Sequence, residues 1–195
     1  MPDSSFKDTP APPQAAAAPR ILLASRADVP FIVDAIVDEA SRGHFACDCT
    51  RPDLLQGLWH QIQTVVADGA TPLPGRRNGA GGRAFVVQVG PANAGFAILV
   101  EAAPGSWRDS VEVFAMAVHP AFRRGGVARH LLTSLVRDCQ SAHVFARLAP
   151  ASAGMRRLLE SCGFVPGAAP EPGTLLFGYR SPGGDASGET VVSAH

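Results

Sequence analysis

Neither sign of charge is in surplus in this chain, where 17 Lys and Arg are matched by 17 Asp and Glu among 195 residues. Proteins that hold nucleic acid usually carry a basic excess to neutralise phosphates, so no nucleic-acid partner is expected. Cysteine is scarce as well. Of the four present, only Cys47 and Cys49 lie close together, and one intervening residue is too few for a zinc knuckle, even with His44 nearby. No metal is therefore expected, and free thiols point to a reducing compartment. Long apolar runs are missing: no stretch approaches the roughly 20 residues of a membrane-spanning helix. The first residues lack the basic start and continuous apolar core of a secretory signal. A soluble, cytoplasmic protein with no membrane partner follows as the expectation. Two phosphate signatures are also missing. Without G-x-x-x-x-G-K-S/T there is no P-loop, and the lack of G-x-G-x-x-G argues against a Rossmann dinucleotide site.

What is present suffices for one folded unit, since 46% of the residues are apolar and a chain of this length buries a real core in a single domain. Residues 1–19 are rich in Pro, Ala and Ser and read as a disordered leader, and 181–195 as a flexible tail. The folded domain is expected over 20–180, as a monomer or homodimer. Ile21 to Ala24 suits a strand, after which Asp28 can cap a helix with Pro30 in its first turn. Val29, Ile32, Val33, Ile36, Val37 and Ala40 line one face of that helix, and Leu55, Leu58, Trp59, Ile62, Val65 and Val66 line one face of a second. A hairpin follows, Ala84 to Val89 and Phe96 to Val100, with 90–95 as its connection. Next come a strand over Val111 to Val118, a helix marked by Ala128, Leu131, Leu132, Leu135 and Cys139, and a strand over Val144 to Leu148. A helix marked by Met155, Leu158, Leu159 and Cys162 can end at Gly163, and Thr174 to Tyr179 is the last strand. Strand, two helices, β-meander, helix, strand, helix, strand predicts an α/β (α+β mixed) fold: a central twisted mixed sheet flanked by about four helices.

The stretch from Val111 to Asp138 carries the chemistry. An apolar strand runs through His119-Pro120 into Arg123-Arg124-Gly125-Gly126-Val127-Ala128 and straight on into an amphipathic helix. A glycine turn at a helix N-terminus leaves backbone N–H groups pointing outward, and with the helix dipole and two arginines it suits a pyrophosphate. Glycine matters there because a β-carbon would hold phosphates off the backbone.

Arg123-x-x-Gly126-x-Ala128 resembles the Q/R-x-x-G-x-G/A acetyl-CoA motif of the GNAT (GCN5-related) N-acetyltransferase family. Ala117-Val118-His119-Pro120 resembles the lead-in to that motif, Leu158 to Phe164 the later helix that closes in Gly-Phe, and Ser25 to Asp28 the family's opening. The resemblance covers about residues 21–180. It implies acetyl-CoA as the acyl donor and an amine as acceptor, joined by direct attack in a ternary complex. It further implies that backbone groups of Met116, Ala117 and Val118 bond the pantetheine arm between two splayed strands. Arg123, Arg124, Gly125, Gly126, Val127 and Ala128 would hold the pyrophosphate. Glu112, the sole carboxylate in the central strand, is the candidate general base; the alternative is a residue at an exposed strand entrance. Ser152 stands where an Asn often opens the later helix, able to cap it or to bond the cofactor, and the acid is water, Ser152, Ser161 or Cys162, or no acid is used. Where many members carry a tyrosine acid this chain has Leu159, and its one tyrosine, Tyr179, lies in the last strand. That departure supports an alternative: a catalytically weak module that binds acyl-CoA as a sensor or regulatory partner. His119 before proline reads as a turn residue and Cys162 as core. The resemblance makes the loop between the first two helices, with His44, Phe45 and Asp48, the candidate acceptor site; the alternative is an ordinary helix connection with Phe45 packed inward.

Overall fold

Among the described residues the apolar runs pack into one seven-stranded sheet between two pairs of helices. The computed structural model describes residues 17–45, 51–70, 80–103, 105–139, 143–168 and 172–180. In chain order these form β1 (Arg20–Leu23), α1 (Val29–Ser41), α2 (Pro52–Asp68), β2 (Gly82–Val89), β3 (Ala92–Glu101), β4 (Ser110–Val118), α3 (Val127–Asp138), β5 (His143–Leu148), α4 (Ala153–Ser161), β6 (Val165–Gly167) and β7 (Leu175–Arg180). Across the sheet the order is β1-β2-β3-β4-β5-β7-β6. Among the described residues only β4 and β5 are parallel neighbours, as they must be when a crossover helix joins them. The mixed sheet with four helices is therefore the predicted architecture.

Two cores lie on opposite faces. Ile32, Val33 and Ile36 of α1 and Ile62 and Val65 of α2 cover Val86, Phe96, Ile98 and Val100. On the other face Leu131, Leu132 and Leu135 of α3 and Leu159 of α4 cover Ala97, Leu99, Val111 and Val113. Alternate residues of β2 and β3 feed alternate cores, which is why the meander reads as a nearly continuous apolar run. The α2 stripe is only half covered: Ile62 and Val65 are buried, whereas Leu54, Leu55 and Trp59 are exposed.

Three local expectations change. The hairpin connection is the tight turn at Gly90 and Pro91, and 92–95 belong to β3. Ala, Asn and Gly carry no strand signal of their own. They are held there because β4 comes so close that a β-carbon on Gly95 would stand 2.7 Å from the Ala117 carbonyl. The strand β6 adds a seventh member that was not predicted. Its three residues, all exposed, include proline and glycine and give no periodic pattern. At α1, Asp28 occupies the N-cap position without making a side-chain cap bond. Its carboxylate instead accepts from the Ser25 N–H and hydroxyl, both at 2.8 Å, and from Asn93 of β3 at 2.9 Å.

Burial alone would raise the Asp28 pKa, but the bonds from Ser25 and Asn93 outweigh it and the net shift is downward. A carboxyl lowered in the folded state stabilises the protein above its unfolded pKa and loses that contribution as pH falls through the folded one. Wild-type protein should therefore lose urea resistance below about pH 4, the unfolded carboxylate range. Asp28→Asn should be weaker at pH 7 and show a flatter decline on acidification. Parallel declines in the two proteins would count against this contribution.

Candidate active site

β4 and β5 run side by side only briefly. Their register pairs Ser110 with His143, Val111 with Val144 and Glu112 with Phe145, and it goes no further. The cause lies in β4. Ile98 of β3 faces Ala115 while the next residue, Leu99, faces Val113, so Phe114 is an extra residue, a β-bulge that bends its strand. Beyond it β4 follows β3 while β5 pairs with β7. The cleft between them has a volume of about 330 Å3 and is floored by Val113 to Val118 and Ala146 to Leu148. The expected splay is thus present. Met116, Ala117 and Val118 all line it, and the Val118 carbonyl accepts from Arg123 Nε at 2.9 Å.

At the end of β4 the chain turns sharply. A second bulge places Ala94 opposite no residue of β2, and its carbonyl receives the His119 N–H at 2.9 Å. His119 Nδ1 in turn accepts from the Ala121 N–H, so this imidazole serves the turn, as its place before proline suggested. Arg124 and Gly126 both adopt positive φ, 64° and 78°; glycine enters that region without strain. Gly126 is the N-cap of α3 and has no side-chain cap bond. The first bond of the helix runs from the His130 N–H to the Gly126 carbonyl at 2.9 Å, so the N–H groups before it face outward. A β-carbon on Gly126 would meet nothing within 4 Å. The turn over Arg124, Gly125, Gly126, Val127 and Ala128 is an open array of donors on a helix N-terminus, and Ala128 also borders the cleft.

Arg123 does not join that array with its guanidinium. Besides Val118, it bonds Glu39 at the end of α1. Glu39 also lines the cleft and its side chain is only 12% exposed. Its Oε1 accepts from Arg42 at 3.1 Å and its Oε2 lies 2.6 Å from His44 Nδ1. Burial alone would raise the Glu39 pKa, yet the His44 hydrogen bond and the Arg123 charge win and hold it below the ordinary value. Sequence reasoning passed over Glu39, although the signal was there. It follows Ile32 and Ile36 on the apolar stripe of α1, where the period calls for an apolar residue.

The other predicted residues separate. His44 and Phe45 both line the cleft, and Phe45 also packs on the α1–α2 core. Asp48 lies outside the described residues, as do Cys47 and Cys49. Among the described residues no group of His, Cys, Asp or Glu could hold a metal ion, and no helix is long and apolar enough to cross a membrane. Ser152 is buried at the start of α4 but makes no cap bond. Its hydroxyl donates to the His44 carbonyl at 3.3 Å, so it joins α4 to the end of α1. Glu112 is 3% exposed, so the exposed-entrance alternative does not hold. It pairs with Arg147 Nη2 at 3.4 Å, and Arg147, not Glu112, reaches the cleft. Leu159 is wholly buried at the cleft wall. Cys162 packs against the core, and Tyr179 tilts on Phe164 at 5.4 Å. Gly163 at φ 89° closes α4, with the Phe164 N–H returning to the Leu159 carbonyl, a Schellman end.

The family model described as "Acetyltransferase (GNAT) family" matches residues 52–164. The chain belongs to that family. GNAT folds among solved structures are correspondingly similar. An acetyltransferase from Thermus thermophilus aligns with a TM-score of 0.63 at 12% identity, over 84% of this chain and 97% of that one. The Salmonella typhimurium protein yncA, determined with its cofactor acetyl-CoA, gives 0.57 at 20% identity over 84% and 94%. Spermidine N-acetyltransferase from Vibrio cholerae, in complex with CoA and spermine, gives 0.59 at 16% over 82% and 92%. At such identities the likeness is one of fold. No curated protein matches the chain.

Proposed function

We propose that this GNAT protein moves an acetyl group from acetyl-CoA to a primary amine, of a small molecule or of a protein, by direct attack in a ternary complex. The observation that carries this reading is the splay of β4 from β5 leading directly into the uncapped Gly126 turn. A thioester arm fits between the strands, and a diphosphate fits against the N–H groups of Arg124 to Ala128, where Gly126 has no side-chain cap bond and open space in front of it. Edge groups of Met116 to Val118 can bond the arm and polarise the thioester carbonyl, favouring the charge that develops on its oxygen. Amine attack then depends on alignment and on removal of one ammonium proton. The relatives bound to acetyl-CoA and to spermine support the donor and the acceptor class.

Glu112 lies behind the cleft wall, and in this reading it acts through Arg147 rather than by touching substrate. Ser152 acts through the loop that it holds. A second reading has one observation in its favour: Leu159, buried where many members have a tyrosine, has no proton to donate. A module that binds acyl-CoA without efficient transfer would follow. A panel of amines with detection of released thiol separates the two. Turnover that depends on an amine supports the enzyme, and slow hydrolysis alone, with acetyl-CoA bound, supports the module. With the best amine, Glu112→Gln should lower the rate about tenfold and leave acetyl-CoA binding intact, as expected for loss of an orienting charge. An unchanged rate would remove Glu112 from the mechanism.

A further inference from the structure

His44 is fixed at three points, which is unusual for a residue just past a helix end. Its backbone N–H donates to the Glu39 carbonyl at 3.0 Å. Its backbone carbonyl accepts from the Ser152 hydroxyl at 3.3 Å. Its Nδ1 meets Glu39 Oε2 at 2.6 Å. A half-buried surface histidine kept only for solubility needs none of these bonds. The ring also lines the cleft beside Ala115 to Val118, while 36% of its side chain remains exposed, so a solute entering the cleft can reach it.

Glu39 is charged across the working pH range, because its pKa is lowered. A carboxylate only accepts, so the proton of a neutral His44 ring must sit on Nδ1, and Nε2 carries the free lone pair. Among the described residues no group bonds Nε2. This is the arrangement of a base held in one tautomer by an acid behind it. We propose that His44, oriented by Glu39 and anchored by Ser152, is the general base that takes the proton from the acceptor ammonium. The inference rests on the acetyl-transfer reading and deepens it.

The step balances. The ammonium gives one proton to Nε2, and the imidazolium formed is stabilised by Glu39. The freed amine nitrogen bonds the thioester carbonyl carbon, and the C–S bond breaks with its electron pair on sulfur. A second nitrogen proton passes to that thiolate through solvent, and the His44 proton is released to bulk. The products are amide, free thiol and one proton. Glu112, already paired with Arg147, is not required to take a proton.

Around the ring the charged groups are Glu39 and Asp38 on α1, Arg42 just past its end, Arg123 before α3, and Arg147 on β5. A base that must lose its proton before it can act makes a pH profile the decisive readout. With the best amine from the panel, kcat/KM of the full chain should rise with pH and then level off, as required of a base that acts in its unprotonated form. His44→Gln should remove that limb and lower kcat about 10²–10⁴-fold, the range for loss of a general base. The acetyl-CoA-induced rise in melting temperature should be preserved. His44→Ala should recover part of the rate with added imidazole, and Ser152→Ala, which only loosens the anchor, should lose less. Nitrogen-15 NMR of the wild-type protein should show the Nδ1–H tautomer. An undiminished rate in His44→Gln, or an Nε2–H tautomer, overturns the proposal while acetyl transfer stands. Wild-type protein that acetylates no amine overturns acetyl transfer and the base role with it, whatever the tautomer.

Discussion

Replacing Gly126 with Asp is expected to abolish the rise in melting temperature that acetyl-CoA gives the wild-type protein. At a ligand concentration a hundredfold above its dissociation constant, binding to the folded state alone adds about 2.7 kcal/mol. For a domain of this size that is a shift on the order of 5–10 °C. Gly126 is where such a gain is most exposed to one substitution. Its φ of 78° suits glycine, and nothing of the protein stands within 4 Å of the space that a β-carbon would enter. A carboxylate there would accept from the very N–H groups a diphosphate needs and would repel its charge. Gly126→Asn separates charge from shape: asparagine tolerates the left-handed backbone at similar size, and it should keep part of the shift. If the Asp variant responds as fully as wild type, the diphosphate is held elsewhere.

The sequence disclosed this corner because everything it needs is local. A buried strand shows as the apolar run Val111 to Val118, an amphipathic helix as the spacing of Leu131, Leu132 and Leu135, and the turn between them as two glycines. The cofactor half of the site was therefore legible in one window. The other half is made by contacts between distant residues. Glu39 meets Arg123 across 84 positions, and Ser152 meets His44 across 108. No periodicity within either segment records such a partner. The Phe114 bulge is equally silent, since its register is set by β3 rather than by any residue of β4. Asp28 and Ser152 show the same limit from the opposite side. Both occupy N-cap positions with suitable side chains, yet each hydroxyl or carboxylate found a better partner than the helix behind it. Local propensity names the residue, and tertiary contact decides what it bonds.

That division also sets how two wholly buried side chains should respond to truncation. Phe96 and Leu159 are each 0% exposed, so transfer energy alone would rank them by size. Their surroundings differ. Phe96 is clamped between β3 and the α1–α2 layer, with Ile32, Ile62 and Ile98 in the same core. A void there is closed on every side, and Phe96→Ala should cost about 3–5 kcal/mol. The loss should not stay local: Phe96 lies opposite Ala117 in the sheet register, so loosening it frees the stretch of β4 that floors the cleft. Acetyl-CoA should then stabilise the variant less than it does wild type. Leu159 borders the cleft itself. The space left by Leu159→Ala merges with the cleft that it lines instead of forming a closed void, which removes most of the cavity contribution, and about 2 kcal/mol is expected. The acetyl-CoA response should survive, because no bond of the Gly126 turn depends on that side chain. Urea unfolding with and without acetyl-CoA checks both substitutions. A larger loss for Leu159→Ala than for Phe96→Ala would mean that the cleft wall, not the β3 core, carries the stability of the domain.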